Sequence, residues 1–281
     1  AVITATAINV TVITAFSGGG NPANNGNNWR VHDIDFRGGG FSGVRGFNTG
    51  ILPTATGDAN INSYADGNIT AHRIAGDGLF STVWINGLNC VTSQVSSINT
   101  AGAAGSGAMP IYQAGCVRSA VIDCDLDNAH GGEHTMRSQG ADFNVIVSNR
   151  FARPASAKAY LTVRGWGVSS NTTPKDCINH AVRGNTFDGT VQTVATAIYT
   201  DLAPQNTGRN EPIKDVVWEA NHYPGCQADQ ALNICARDVT VRNNVYRYVQ
   251  RTISAGSDVT VKIANPNGTM TTLTDNVRVI G

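Results

Sequence analysis

Between His130 and Gly165 the chain concentrates side chains that bind anions and move protons. The stretch reads HGGEHTMRSQGADFNVIVSNRFARPASAKAYLTVRG. Two segments in it, HTMRSQ and YLTVRG, read as successive strands with an arginine at a matching place, Arg137 and Arg164. Arginine offers a planar fork that grips a carboxylate through two hydrogen bonds. Lys158, His134 and Tyr160 stand beside the arginines, and each can take or give a proton once burial or nearby charge shifts its pKa. His130, Tyr199, Asp201 and Thr162 are candidates for holding a ligand. The competing reading of the charged members is an ordinary solvated surface, and of the tyrosines, packing. Glu133 and Asp142 are one pair of acids, weak evidence for a cation site, although calcium is a possible ligand.

For these groups to act together they must project from one face. Strand alternation puts Leu161 and Val163 inward and Tyr160, Thr162 and Arg164 outward. The preceding strand has Met136 inward and Thr135 and Arg137 outward, and the following one has Tyr199 and Asp201 outward. Stacked strands about 4.8 Å apart would gather these groups into a patch about 10–15 Å long, with Lys158 and His134 at its edges.

A repeat supplies the stacking. Asn144–Phe151, His180–Phe187, Val216–Tyr223 and Val239–Tyr246 share an apolar alternation, then an Asn, then an aromatic two residues later. The asparagines are Asn149, Asn185, Asn221 and Asn244, and weaker copies begin at Trp29, Ile69, Leu88 and Ser119. Irregular strand repeats without helical periodicity predict an all-β solenoid, a single-domain right-handed parallel β-helix over residues 1–281. Residues 1–27 would form an N-terminal strand and cap, and residues 258–281 a C-terminal cap. A β-sandwich would need hairpin turns at regular short intervals, which this chain does not supply. Residues 166–176 and 202–212, rich in Pro, Asn, Thr and Gly, read as loops walling a groove.

Composition narrows the function classes. The chain of 281 residues is 14% charged with zero formal net charge, and has four lysines against sixteen arginines. Nothing in it attracts nucleic acid or an anionic membrane in bulk, and no apolar run is long enough to span a bilayer. The opening AVITATAINVTVITAF reads as strand and lacks the charged start of a signal peptide. No Cys-x-x-Cys pair occurs among the six cysteines, which argues against zinc. Cys116 with Cys124, and Cys226 with Cys235, are spaced for disulfides in an exported protein; the alternative is small buried core residues.

Thr135-Met-Arg-Ser-Gln-Gly140, Leu161-Thr-Val-Arg-Gly165 and the Val-x-x-Asn-x-Phe copy ending at Phe151 resemble the β-helical polysaccharide lyases, in particular the alginate lyase and chondroitinase B-like group. The resemblance covers about residues 110–190 and implies β-elimination on a uronic-acid polysaccharide by a secreted or periplasmic monomer. Arginine would neutralise the uronate carboxylate, and Lys, His or Tyr would remove H5 and protonate the leaving oxygen. That group places its lysine base one coil before the arginine. Counting back from Arg137 reaches Ala114–Gly115, counting back from Arg164 reaches Arg137, and Lys158 lies on the coil of Arg164. Two alternatives come from other classes. A β-helix glycoside hydrolase would use Asp123, Asp125 and Asp127. A non-catalytic carbohydrate-binding or tailspike-like fibre would use aromatic platforms.

Overall fold

The computed structural model describes residues 1–7, 11–14, 28–40, 42–48, 67–85, 87–102, 107–156, 158–164, 177–191, 198–202, 213–226, 230–234, 236–248, 260–263 and 275–280. Every strand pairing among them is parallel, in a fifteen-stranded and a nine-stranded sheet. From Val117 on, each coil gives two successive strands to the fifteen-stranded sheet and one to the nine-stranded sheet, and each strand pairs with its counterpart one coil away. Ile111–Ala114, Met136–Gln139 and Leu161–Arg164 stack in the nine-stranded sheet, and Val117–Ile122, Asp142–Val147 and Cys177–Arg183 in the other. This is a parallel β-helix, and parallel crossovers are overwhelmingly right-handed.

Corners are made by single left-handed residues. Non-glycine residues at positive φ fall largely into two stacked rows. One row includes Asn68, Asn89, Arg118, Phe143, Asn179, Asp215 and Asp238, and the other Arg73, Gln94, Asp123, Ser148 and Ala220, with Gly184 in line. Arginine, phenylalanine and glutamine are poorly suited to φ near +50°, at a cost of about 1–2 kcal/mol each. They are held there because the flanking strands are locked in register on both sides.

The lock is the asparagine ladder. Asn149, Asn185, Asn221 and Asn244 each follow a corner residue. The Oδ1 of Asn185 accepts from the backbone N–H and the Nδ2 of Asn149, both at 3.0 Å. Asn221 does the same for Asn185, and Asn244 for Asn221. Each remaining Nδ2 proton goes to a carbonyl inside the coil: Val121, Ile146 and Val182 accept from Asn149, Asn185 and Asn221. The links span 36, 36 and 23 residues, so the ladder fixes register whatever length of loop each coil carries. Beside it Phe151, Phe187, Tyr223 and Tyr246 stack with ring centroids 5.3, 4.8 and 4.8 Å apart.

The cysteine expectation is corrected. Cys90, Cys116, Cys124 and Cys177 are free and buried, with the Cys116 thiol donating to the Ile85 carbonyl at 3.3 Å and the Cys124 thiol to that of Ile122 at 3.3 Å. Cys116 and Cys124 are therefore core residues and not a disulfide. The side chains of Cys226 and Cys235 lie outside the described residues, as do loop residues 165–176 and 203–212. Among the described residues no helix is long and apolar enough to cross a membrane.

Replacing Asn185 by Ala removes an acceptor from two N–H groups of Asn149 and strands the Ile146 carbonyl. At about 1–3 kcal/mol per buried group left unsatisfied, a total cost of about 2–4 kcal/mol is expected in urea unfolding. Asn244→Ala, at the half-buried end of the ladder, is expected to cost less. Equal losses at the two positions would contradict a ladder that works by mutual burial.

Candidate functional site

The outward face of the nine-stranded sheet carries the clustered charges. Ile111–Ala114, Met136–Gln139 and Leu161–Arg164 pair in register, with Arg137 opposite Tyr112 on one side and Thr162 on the other. Arg164 pairs with Gln139, and Gln139 with Ala114. The two arginines thus share a face but sit two residues apart along the strand. One coil before Arg137 is Tyr112, and one coil before Arg164 is Gln139, which corrects the count that led to Ala114–Gly115 and to Arg137.

At the centre is Glu133, whose side chain is 10% exposed. Its Oε2 accepts from Nη2 of Arg137 at 2.8 Å and its Oε1 from Nζ of Lys158 at 2.8 Å. Lys158 and Arg137 are therefore joined through one buried carboxylate. Glu133 was weighed from sequence only as half of a cation site with Asp142. Asp142 instead belongs to the other sheet, where its Oδ1 accepts from the Ile178 N–H. No group of three metal-binding side chains converges among the described residues.

His134 is buried against this centre. The Ala159 N–H donates to its Nδ1 at 2.9 Å, so in the neutral ring the proton sits on Nε2. That Nε2 is 3.6 Å from Oε2 of Glu133 and makes no hydrogen bond. Burial, then the positive charges of Arg164, Arg137 and Lys158, push its pKa well below the usual histidine value. His134 is a neutral N–H group facing a carboxylate, which makes it a poor proton acceptor at Nε2.

The loop carrying Glu133 and His134 is held from below. Asn128, buried, donates through Nδ2 to the carbonyls of Glu133 and His134 at 2.7 and 3.1 Å. Gly131 passes so close that a Cβ there would lie 1.7 Å from Oδ1 of Asn128. Behind the strands, Asn144 donates to Gln113 at 2.8 Å and to Ser138 at 3.0 Å, tying the inward neighbours of Tyr112 and Arg137 to the opposite sheet. Tyr112 is the second residue the sequence reading missed. Its hydroxyl donates to Oε1 of Gln139 at 2.7 Å, and burial pushes its pKa up to about 12. The alternating Ile111-Tyr-Gln-Ala114, one strand before Met136–Gln139, was the signal that could have found it.

Other expectations need correction. Tyr160 is fully buried, and its hydroxyl donates to the Asp188 carbonyl at 3.2 Å, so it is a core residue and not a proton donor to ligand. It precedes the strand Leu161–Arg164, where the chain is still turning and alternation does not yet apply. Thr135 and Thr162 are buried too. Thr135 donates to the Ala152 carbonyl, whereas Thr162 accepts from Nε of Arg164 at 2.9 Å and so orients that guanidinium. His130 is exposed and forms an isolated bridge with Ala101, its carbonyl accepting from Gly102, and it makes no ion pair with the cluster among the described residues. Asp201 pairs by backbone with Thr162, but the side chains of Tyr199 and Asp201 lie outside the described residues. The acidic strand behind the hydrolase alternative is neutralised: Asp125 pairs with Arg150 at 2.8 Å, Asp127 with Nε of Arg153 at 2.7 Å, and Asp123 occupies a corner.

No family model matches the chain, and no curated protein matches it. Solved structures similar to it include the AlgE6 A-module of the Azotobacter vinelandii mannuronan C-5 epimerase, at 14% identity and a TM-score of 0.44, over 80% of this chain and 65% of that one. The AlgE4 A-module from the same organism matches at 14% identity and a TM-score of 0.35, over 85% of this chain and 78% of that one. A mutant tailspike of E. coli bacteriophage HK620 matches at 13% identity and a TM-score of 0.40, over 87% of this chain and 50% of that one. The chain thus spans just under two thirds of the first structure and half of the tailspike. At this level the assignment of fold rests on strand order and register.

Burial of neutral histidines sets a pH dependence. His180, fully buried with its Nε2 3.0 Å from the Cys177 thiol, is held at about 4 by burial. Below pH 6.5 the unfolded chain takes up protons that buried neutral His134 and His180 refuse, so stability is lost as pH falls. For His180 alone the loss between pH 6.5 and 4 is about 3 kcal/mol. Urea unfolding at pH 7.5 and 4.5 should show the drop. His134→Gln, which keeps an acceptor for the Ala159 N–H, should reduce it; an unchanged slope would mean His134 takes up its proton in the folded state.

Proposed function

We propose that this β-helix acts on an acidic polysaccharide, and that it does so as a lyase, by β-elimination at a uronic acid. The observation that carries the reading is the convergence of Arg137 and Lys158 on the buried carboxylate of Glu133, with Arg164 on the same outward face and close enough to His134 for its charge to be felt there. With His134 neutral, the cluster keeps a surplus of positive charge in a poorly hydrated place, where attraction for an incoming carboxylate is stronger than in water.

In this reading Arg164 and Arg137 pair with the uronate carboxylate and draw charge from it, which acidifies H5. The Lys158–Glu133 hydrogen bond lets an ammonium proton pass to Oε1 of Glu133. The neutral amine then takes H5, the C5 electron pair forms the C4–C5 double bond, and the C4–O4 bond breaks. The proton gained by Lys158 goes to the departing O4, and Glu133 returns its proton to the Lys158 amine, which restores the starting ion pair. Tyr160 has no part in the step and His134 supplies an N–H toward Glu133.

A second reading, a non-catalytic receptor for the same polymers, is favoured by one specific feature. Lys158 and Arg137 are both held in place by ion pairs to Glu133, while Nε of Arg137 is buried without a hydrogen-bond partner, an arrangement suited to a rigid anion-binding face.

Ultraviolet absorbance during incubation with a panel of uronate polymers separates the two. A rise from the new double bond on one polymer is expected, reduced about 100-fold or more in Lys158→Ala and Arg164→Ala. Cleavage without that absorbance would overturn elimination in favour of hydrolysis. Binding without cleavage, weakened in Arg164→Ala, would select the receptor.

A further inference from the structure

The outward row of the nine-stranded sheet continues past Arg137. Register carries it through Tyr112 to Trp84 and then Asn48. Trp84 meets Tyr112 edge-to-face with ring centroids 4.5 Å apart, and the Arg137 guanidinium lies 5.9 Å from the Tyr112 ring. Arg45, at the start of Arg45–Asn48, lies 4.8 Å from the Phe80 ring centroid and 5.3 Å from that of Trp84. An unbroken run of ring and cation contacts therefore joins Arg45 to Arg137, and through Glu133 to Lys158.

Arg45 differs from the other cations of the run. Arg137 and Lys158 share Glu133, and Arg164 rests on Thr162. Arg45 is half-buried between two aromatic rings and has no carboxylate or hydrogen-bond acceptor among the described residues. Burial lowers its pKa. A dehydrated guanidinium without a counter-charge is costly, and aromatic faces recover only part of the cost. The usual resolution is an anion supplied from outside. Trp84 and Phe80, both part-exposed, add flat apolar surface of the kind that packs on a sugar ring.

We propose that Arg45, Phe80 and Trp84 form a second subsite, taking the carboxylate and ring face of another uronic acid of the same bound chain. The proposal rests on the acidic-polysaccharide reading above and extends it. Trp84 is two coils and Arg45 three coils from Arg137, so the subsites are separated by about 10–14 Å along the helix axis. The polymer then lies across the strands, parallel to that axis, and a short oligomer cannot reach both subsites.

Calorimetric titration with a dimer and a hexamer of mannuronate, and with a neutral β-1,4-glucan hexamer, tests this. Arg45→Gln should weaken the mannuronate hexamer about tenfold, the loss of one charge-assisted contact, and leave the dimer within about twofold. Arg45→Lys, retaining the charge, should recover part of the loss, and thermal unfolding of both variants reports whether they fold. The neutral hexamer should bind weakly and lose nothing in Arg45→Gln. Unchanged hexamer affinity in Arg45→Gln, or equal losses on dimer and hexamer, overturns the second subsite. If Arg164→Ala weakens the dimer in that same series, the main cluster stands without it. If Arg164→Ala changes neither length while Arg45→Gln weakens the hexamer, the main cluster is misassigned and Arg45 marks the real anion site. A wild-type protein that binds neither mannuronate oligomer overturns both.

Discussion

In-register parallel stacking is the constraint on which the rest of this molecule depends. A strand has period two, so a slip of one residue would send every buried side chain to solvent and every outward one into the core. From Asn149 to Asn244 the protein fixes register at one corner of successive coils, with Asn149, Asn185, Asn221 and Asn244 bonded to one another's backbone and side-chain amides. This makes register independent of the loops, which can then vary in length between coils. It also explains why Arg118 and Phe143 tolerate left-handed backbone: the strands beside them leave the corner no other shape.

The site inherits its order from that register and adds an electrostatic arrangement of its own. A buried carboxylate such as Glu133 is expensive unless cations face it, and three cations crowded on one face are expensive unless a carboxylate separates them. Glu133, Arg137 and Lys158 relieve each other. Asn128 then fixes the backbone of Glu133 and His134, and Asn144 anchors the strands beneath Tyr112 and Arg137. Rigid backbone beneath and mutual charge above are the conditions under which a polar site keeps its geometry without a ligand.

Much of this was legible in the chain itself, for reasons that can be traced. The Asn and the aromatic two residues later recur because one bonds at a corner and the other packs just beyond it, so Asn185 and Phe187 announce their coil whatever the intervening loop. The stretch containing Arg137, Lys158 and Arg164 was visible from residue type alone. Its geometry was not. MRSQ and LTVR look equivalent as words, yet pairing aligns Arg137 with Thr162, a shift of two that preserves the face and hides the error. Tyr160 was placed outside by extending alternation one residue too far, into a turn. Glu133 reads as a loop acid beside glycines. Its importance lies in a bond to Lys158, 25 residues away, which no local pattern encodes.

The same comparison explains why the arginines are not interchangeable. Arg150 and Arg153 lie on the other sheet and meet Asp125, Asp188 and Asp127 coil by coil, so that face is neutral and structural. On the nine-stranded sheet the outward positions neighbouring Arg137 are Tyr112 and Thr162, and Arg45 lies against the rings of Trp84 and Phe80, groups that cannot balance a charge. Among the described side chains only Glu133 does so, from a loop and not from the row. Cations thus outnumber acids among the described side chains along a line whose spacing is set by the coil. A polymer with a negative charge on each sugar matches such a line better than a compact anion, because each coil further along the axis can meet a further sugar. On the proposed reading, the regularity that builds the fold would also favour an extended ligand over a small one.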